Sequence, residues 1–136
     1  TDFVLDPRLA ADTVPVVDLP LSTVRLLKDS RYVWLLLVPR QPGIVEIGDL
    51  SKHDRGWLMD EIELCARAVK TVSGCLKLNV AAIGNKVRQL HVHVLGRNEG
   101  DPAWPGPVWG HSTPVPYEPA AQADLVERLA AEIRKG

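Results

Sequence analysis

This chain of 136 residues has no long apolar run, no large excess of positive or negative charge and no cysteine framework. No stretch approaches the roughly 18–20 apolar residues that a membrane helix needs, and Thr1–Arg8 lacks the basic-then-apolar pattern of a signal peptide. The formal net charge is −1 and the pI is near 6.4. The sequence therefore predicts neither a nucleic-acid partner nor a membrane partner, and any anionic ligand must be held by local groups.

Only two cysteines occur, which is too few for a disulfide framework. Cys65 falls on the apolar stripe of a predicted helix and Cys75 follows Gly74, so we expect two buried, reduced thiols and a cytoplasmic protein. Hydrophobic residues make up 46% of the chain and charged residues 24%, which is ordinary for a globular protein. At this length, residues 1–136 are predicted to form a single domain.

The most informative segment runs from Gln89 to Leu95 and carries two histidines. Side chains alternate between the two faces of a strand, so Gln89, His91 and His93 should share one face, opposite an apolar one. Imidazoles have low β-propensity and titrate near neutrality, so two in a row favour a chemical role. The spacing leaves three interpretations open: metal ligands, a nucleophile beside a hydrogen-bond donor, or half-exposed histidines without a role.

Five short strands are predicted from apolar and β-branched runs that are bounded by turn residues. They cover residues 15–19, 22–28, 32–38, 76–83 and 88–95. The third is nearly continuous in apolar residues and should be central. With the helices described next, the predicted class is α+β, with a five-stranded antiparallel sheet, a main helix packed on it and a C-terminal helix.

Three helices are predicted from capping residues and from the 3.6-residue period. Asp6-Pro7 begins a short helix. The main helix begins at Ser51, with a capping-box pattern, and ends at Gly74. The apolar stripe of the main helix consists of Leu58, Ile62, Cys65, Val69 and Val72. Its solvated side is predicted to consist of Asp60, Glu61, Glu63, Arg67 and Lys70. The stripe of the C-terminal helix consists of Leu125, Val126, Leu129 and Ile133.

The histidine segment resembles the signature of the histidine triad (HIT) superfamily, His-φ-His-φ-His-φ-φ, where φ is apolar. Gln89 takes the first histidine position, His91 the second and His93 the third. Residues 34–40 resemble the family's strand that ends in Val-Ile-Pro-Lys, and residues 84–87 resemble its Gly-Gln-Ser-Val loop. The resemblance covers about residues 14–110, and the tail at 101–110 is similar to a bacterial HIT-like subfamily that also has Gln first.

The resemblance implies that the second histidine attacks the α-phosphorus of a nucleotide. His91 would then be the nucleophile, and water or another acceptor would resolve a nucleotidyl-His91 intermediate. His93 would hydrogen-bond to the phosphate oxygens. Gln89 would be a further catalytic residue, at the first histidine position, but it cannot titrate, so leaving groups that depart as stable anions should be favoured over amines.

The resemblance also implies nucleotide contacts, each of which competes with an ordinary turn or surface role. The residues are Asp29 at the ribose hydroxyls and Asn79, Asn85, Lys86 and Val87 at the phosphates. Trp104 and Trp109 are expected at the base pocket or at a dimer contact. The family often has a further histidine after the strand that ends here at Pro39-Arg40, but this chain continues with Gln41-Pro42.

The expected partners are a small nucleotide and a second copy of the chain, since the resemblance implies a homodimer whose sheet runs across both subunits. No cofactor is required, and a divalent metal is an optional companion of the substrate phosphates. A non-catalytic nucleotide sensor with the same pocket is the main alternative. A metal-binding His-x-His protein is a minor one, because Glu99 and His111 do not have the spacing of a cupin site.

Overall fold

A computed structural model of the chain describes residues 2–136, so Thr1, the first residue of the N-terminal stretch discussed above, lies outside the described part. It confirms the α+β class, with five strands and three helices. The elements in chain order are α1 (Pro7–Asp12), β1 (Thr13–Asp18), β2 (Ser22–Leu27), β3 (Trp34–Pro39), a 3₁₀ turn (Ile47–Asp49), α2 (Lys52–Ser73), β4 (Lys77–Ala81), β5 (Val92–Arg97) and α3 (Pro119–Arg134).

All five strands form one antiparallel sheet in the order β1-β2-β3-β5-β4. Strand β3 is central and every one of its residues is buried, as its apolar sequence predicts. The strand predicted at 88–95 begins later, at Val92, because the Leu90 N–H donates to the Ile44 carbonyl at 2.9 Å instead of joining the sheet. His91 therefore lies immediately before β5, and His93 lies within it.

Helix α2 begins and ends at the residues that the sequence indicates. The Ser51 hydroxyl accepts the Asp54 N–H at 3.1 Å, and Gly74 ends the helix with a φ of 65°. A left-handed φ is inexpensive only for glycine, which explains why the helix ends there. The Asp54 carboxylate accepts a hydrogen bond from Gln41 Nε2 at 2.6 Å, which connects the helix start to the loop after β3.

Glu61 corrects the prediction of a fully solvated outer side for α2, because it is only 3% exposed. Its carboxylate accepts the backbone N–H groups of Leu21 at 2.8 Å and Ser22 at 3.0 Å, where the chain turns from β1 into β2. Buried backbone donors need acceptors, and an ionised carboxylate can accept two. Periodicity along the helix could not reveal this role because both partners lie about forty residues away.

The sheet has two unlike faces because side chains alternate along its strands. The helix face packs against α2 and α3. Its buried strand residues are Val24, Leu26, Leu35, Leu37, Val92 and Val94. The aromatic face is covered by α1 and by the loop after β5. Its buried residues include Leu9, Tyr32, Trp34, Leu36, Val38 and Leu95.

The end of α2 packs directly on β5, and glycine makes this approach feasible. A Cβ on Gly96 would lie 2.8 Å from Cys75 Cβ, closer than carbon atoms pack. Cys65 and Cys75 are both free and buried, as predicted. Within residues 2–136, no helix is long and apolar enough to cross a membrane.

Candidate functional site

The two histidines lie side by side on the aromatic face of the sheet. The ring centroids of His91 and His93 are 5.1 Å apart, and each residue is 8% exposed. His93 pairs with Leu36 of β3 and with Ala81 of β4, so the sheet fixes its position from both sides. The alternation predicted from the sequence is confirmed for this pair.

The hydrogen bond of His91 defines which of its nitrogens carries the proton. Its Nδ1 lies 2.8 Å from the backbone carbonyl oxygen of Gln89. A carbonyl only accepts, so Nδ1 of the neutral ring must donate, and Nε2 keeps its lone pair. An imidazole in this state is a nucleophile without further activation.

His93 is held in the opposite tautomer. The indole Nε1–H of Trp34 donates to His93 Nδ1 at 2.9 Å. An indole nitrogen only donates, so Nδ1 of His93 must accept and its Nε2 must carry the hydrogen. The pair therefore combines one free lone pair, on His91, with one free N–H donor, on His93.

Burial, and then the proximity of His91, lower the pKa of His93 to about 3. The hydrogen bond from Trp34 also lowers the pKa of His93, because Nδ1 can bind a second ring proton only if this hydrogen bond is broken. His93 is therefore a neutral hydrogen-bond donor at physiological pH and does not carry a positive charge.

A cavity of about 590 Å³ opens beside the two imidazoles. This is within the range of small-molecule sites. Its wall is formed by Leu9, Asp12, Leu27, Lys28, Trp34, Leu36, residues 83–87, His91, His93, Trp109, Gly110 and Pro114. A depression of about 640 Å³ between the middle of α2 and the end of α3 contains no imidazole, so the first cavity is the candidate site.

The predicted ligand residues divide into two groups. Asn85, Lys86 and Val87 line the cavity, and so does Trp109, whose ring centroid is 5.3 Å from that of His93. Trp104 does not line it and instead packs against Arg97, 5.7 Å from the guanidinium carbon.

Asp29 and Asn79 lie outside the residues that line the cavity. Asp29 is 1% exposed and its carboxylate binds Arg31 and the Val115 N–H. Burial pushes the pKa of Asp29 up, but these bonds outweigh it and the pKa is lowered. The Asn79 side-chain oxygen accepts from Arg97 at 2.9 Å. Both residues thus bind the protein's own arginines.

Arg97 is a structural residue of the site that sequence analysis did not identify. Its side chain is 2% exposed and binds the Asp101 carboxylate at 2.8 Å and the Gly106 carbonyl at 2.8 Å. The hydrogen bond from Arg97 lowers the pKa of Asp101 to about 2. These contacts fold the loop that brings Trp109 to the cavity.

The side chain of Gln89 binds the N-terminal segment. Its Oε1 accepts the Asp6 N–H at 2.8 Å, and its Nε2 donates to the Val4 carbonyl at 2.9 Å. Sequence analysis placed Gln89 beside the histidines but gave no sign of these partners, which lie more than eighty residues away.

The fold and site together define a small α+β domain that presents two imidazoles in a ligand-sized cavity, one with Nδ1 as a hydrogen-bond donor and the other with Nδ1 as an acceptor. The HIT domain family model matches residues 8–100, and the chain belongs to the HIT family. Within residues 2–136, no group of three or more His, Cys, Asp or Glu side chains is placed to hold a metal ion.

Solved structures agree with this assignment. A histidine triad protein from Bradyrhizobium japonicum is 46% identical, with a TM-score of 0.96 over 98% of this chain and 99% of that one. One from Marinobacter aquaeolei is 41% identical, with a TM-score of 0.96 over 99% and 98%. A hypothetical histidine triad nucleotide-binding protein from Sulfolobus tokodaii shares the fold at 18% identity, with a TM-score of 0.70 over 90% and 85%. No curated protein matches the chain.

Proposed function

We propose that this protein binds a nucleotide and acts at its α-phosphate, as a hydrolase or nucleotidyltransferase, through a nucleotidyl-His91 intermediate. The observation that carries the proposal is the pair of opposite tautomers. His91 Nε2 has a free lone pair, and the adjacent His93 Nε2 has a free N–H. Nucleophilic attack at phosphorus needs the first, and stabilisation of the phosphate oxygens needs the second.

In the first step, the His91 Nε2 lone pair forms a bond to the α-phosphorus, and the bond from phosphorus to the leaving oxygen breaks with its electrons on that oxygen. His91 gains positive charge, and its Nδ1–H bond to the Gln89 carbonyl stabilises that charge. His93 donates to a phosphate oxygen throughout. Water or another acceptor then attacks the phosphorus and releases His91, while the acceptor's proton passes to solvent.

The lining of the cavity contains groups suited to each part of a nucleotide. Leu9, Leu27 and Leu36 supply apolar surface for a base and ribose. Asn85, Lys86 and Val87 lie on the same wall and are the proposed phosphate contacts. Asp29 and Asn79 stay predicted contacts only, because their oxygens already bind Arg31 and Arg97. A dinucleoside polyphosphate or a related molecule is the proposed substrate class.

The proposed reaction requires no cofactor, because a side chain supplies the nucleophile and water or another acceptor completes the cycle. A divalent metal could accompany the phosphates. The free, buried Cys65 and Cys75 favour a cytoplasmic location. Gln89 and the Trp-containing tail favour the bacterial group that has Gln at the first position.

A homodimer is also proposed, as the resemblance to the HIT family implies, and the exposed surface of the sheet supports it. The central strand β3 is already covered within one chain. Two exposed apolar residues lie at the edge strand β4: Leu76, just before the strand, is 58% exposed, and Val80, within it, is 48% exposed. Pairing through this edge would cover them. Light scattering should give twice the 15.0 kDa of one chain, and a mass of one chain at micromolar concentration would contradict the proposal.

A non-catalytic nucleotide sensor is the second candidate, and one observation favours it. Gln89 cannot titrate, and its amide is occupied by the N-terminal segment. No titratable side chain therefore stands at the first triad position to help a leaving group depart. A sensor would bind mononucleotides through the same cavity and show no turnover.

The deciding experiment measures turnover of dinucleoside polyphosphates, nucleoside phosphoramidates and nucleotidyl sugars. His91→Ala should abolish turnover and leave mononucleotide affinity within about tenfold, because the nucleophile acts mainly in the transition state. His53→Ala is the matched control, since His53 is exposed on α2 and binds Trp57. Full activity of His91→Ala would remove His91 from the mechanism. Binding without turnover in the wild type would establish the sensor.

A further inference from the structure

Gln89 connects two parts of the molecule that are far apart in the sequence. Its side chain binds the Asp6 N–H and the Val4 carbonyl, at 2.8 and 2.9 Å. Its backbone carbonyl binds His91 Nδ1 at 2.8 Å. One residue therefore holds the proposed nucleophile with its main chain and an N-terminal strap, residues 4–6, with its side chain.

The strap continues into the wall of the cavity. The Asp6 carboxylate accepts the Arg8 N–H at 2.8 Å and so caps α1, whose residues Leu9 and Asp12 line the cavity. The Arg8 guanidinium donates to the Lys86 carbonyl at 2.9 Å, in the loop on the same wall. Displacement of the strap would therefore disturb the lining of the cavity at two places, α1 and the loop at Lys86.

A glutamine side chain matches what the strap presents. The Asp6 N–H requires an acceptor and the Val4 carbonyl requires a donor, and a primary amide supplies both from one planar group. An ionised glutamate would place an acceptor against the Val4 carbonyl. A single neutral histidine ring has its donor and acceptor on different sides, so it cannot reproduce the same pair of bonds.

We propose that Gln89 is a positioning residue, whose side chain fastens the N-terminal strap and thereby fixes the carbonyl that orients His91. The proposal rests on the function proposed above for the same site. It differs from the expectation that the first triad position acts on the leaving group, because the Gln89 amide is directed at the strap. Loss of the amide should therefore slow all substrates alike.

Two variants of Asp6 isolate the strap bond without changing Gln89. Asp6 has a φ of −53° and a ψ of 133°, values that proline can adopt, so Asp6→Pro keeps the backbone path and removes the N–H. Asp6→Ala is the matched control, since it also loses the helix cap but keeps the N–H. Gln89→Ala removes both hydrogen bonds to the strap by changing Gln89 itself, and Gln89→Glu removes the donor to the Val4 carbonyl.

The first measurement is kinetic. Gln89→Ala, Gln89→Glu and Asp6→Pro should lower kcat by roughly 10- to 100-fold, because a small misplacement of a nucleophile has effects of this size. The loss should be equal for dinucleoside polyphosphates and phosphoramidates, with smaller changes in KM. Asp6→Pro should add little to Gln89→Ala, since both break the same connection. A loss confined to phosphoramidates would show that Gln89 acts on the leaving group, which would overturn the proposal.

The second measurement does not depend on turnover. The ¹⁵N chemical shifts of His91 in the full chain should report one tautomer, with the hydrogen on Nδ1, in the wild type and in Asp6→Ala. In Asp6→Pro and Gln89→Ala, the shifts should report a mixture of the Nδ1–H and Nε2–H tautomers of His91. An unchanged Nδ1–H tautomer in both of those variants would overturn the proposal, whether or not the wild type turns over any nucleotide. An inactive wild type that shows the expected shifts would refute the proposed catalysis and support the positioning role.

Discussion

The two faces of the sheet are built from the same strands but are held together by different forces. The helix face is almost entirely aliphatic and packs on α2 and α3. The aromatic face carries two imidazoles, two indoles and a buried guanidinium, and it packs on a loop and a short helix. Since the helix face buries most of the aliphatic core, the opposite face can present polar groups without the loss of the fold.

Polar groups on the aromatic face are oriented by specific hydrogen-bond partners. His91 binds a carbonyl, His93 binds an indole, and Arg97 binds Asp101. Packing on the helix face is non-directional, whereas these bonds fix which atom donates and which accepts. Substitutions on the helix face should therefore change stability, and substitutions on the aromatic face should change chemistry.

The adjacent residues Leu36 and Leu37 give the largest contrast, because they face opposite sides of β3. Leu37→Ala should lower the free energy of unfolding by about 2–5 kcal/mol, since the vacated space is sealed under the helices. Leu36→Ala should cost less, because Leu36 borders the cavity and water can occupy the vacated space. Urea denaturation measures both. Only Leu36→Ala should weaken mononucleotide binding. An equal effect of the two variants on binding would show that the helix face and the aromatic face do not differ in function.

Glu61 is a polar exception on the side of the molecule built from aliphatic packing, and its effect should be intermediate. In Glu61→Gln, one of the two oxygens that accept the Leu21 and Ser22 N–H groups becomes an NH₂. An unsatisfied buried donor should cost about 1–3 kcal/mol of stability. Glu63→Gln is the control on the same helix. Its side chain is 62% exposed and pairs with Arg67, so it should change stability by less than about 1 kcal/mol. Equal effects of the two variants on stability would mean that Glu61 does not stabilise the turn between β1 and β2.

The effect of Trp34→Phe should be clearest in the pKa of His93. Phenylalanine keeps a ring against His93 but cannot donate to Nδ1. Nδ1 would then be open to a proton, so the pKa of His93 should rise from about 3. NMR titration of the ring carbons measures the change, and Tyr32→Phe, on the same face, serves as the control. An unchanged pKa would mean that burial alone keeps His93 neutral.

The same lowered pKa predicts how stability depends on pH. The unfolded chain binds a proton at His93 below about pH 6.5, and the folded chain resists it down to about pH 3. The unfolded state thus holds more protons in this interval, so the His93 contribution makes stability fall as the pH drops from 6.5 toward 3. In His93→Gln this part of the fall should be missing.

Local patterns in the sequence predicted most of the fold and the histidine pair. Alternation placed His91 and His93 on one face, and helical periodicity placed Cys65 and Val69 in the core. Three of the features that the sequence did not predict share one physical cause. The role of Glu61, the later start of β5 and the partners of Gln89 are all set by backbone groups that lie far away in the sequence. A single chain without aligned relatives carries no local signal for such contacts.

Two hydrogen bonds that support the site join residues far apart in the sequence. Trp34 and His93 are 59 positions apart, and Asp6 and Gln89 are 83. Strands β1, β2 and β3 can pair through short local loops, but β5 must reach β3 across α2 and β4, which costs more chain entropy. A nascent or partly folded chain that lacks this closure cannot form the bond between Trp34 and His93. Any chemistry performed by this site would therefore begin only once the whole sheet is closed.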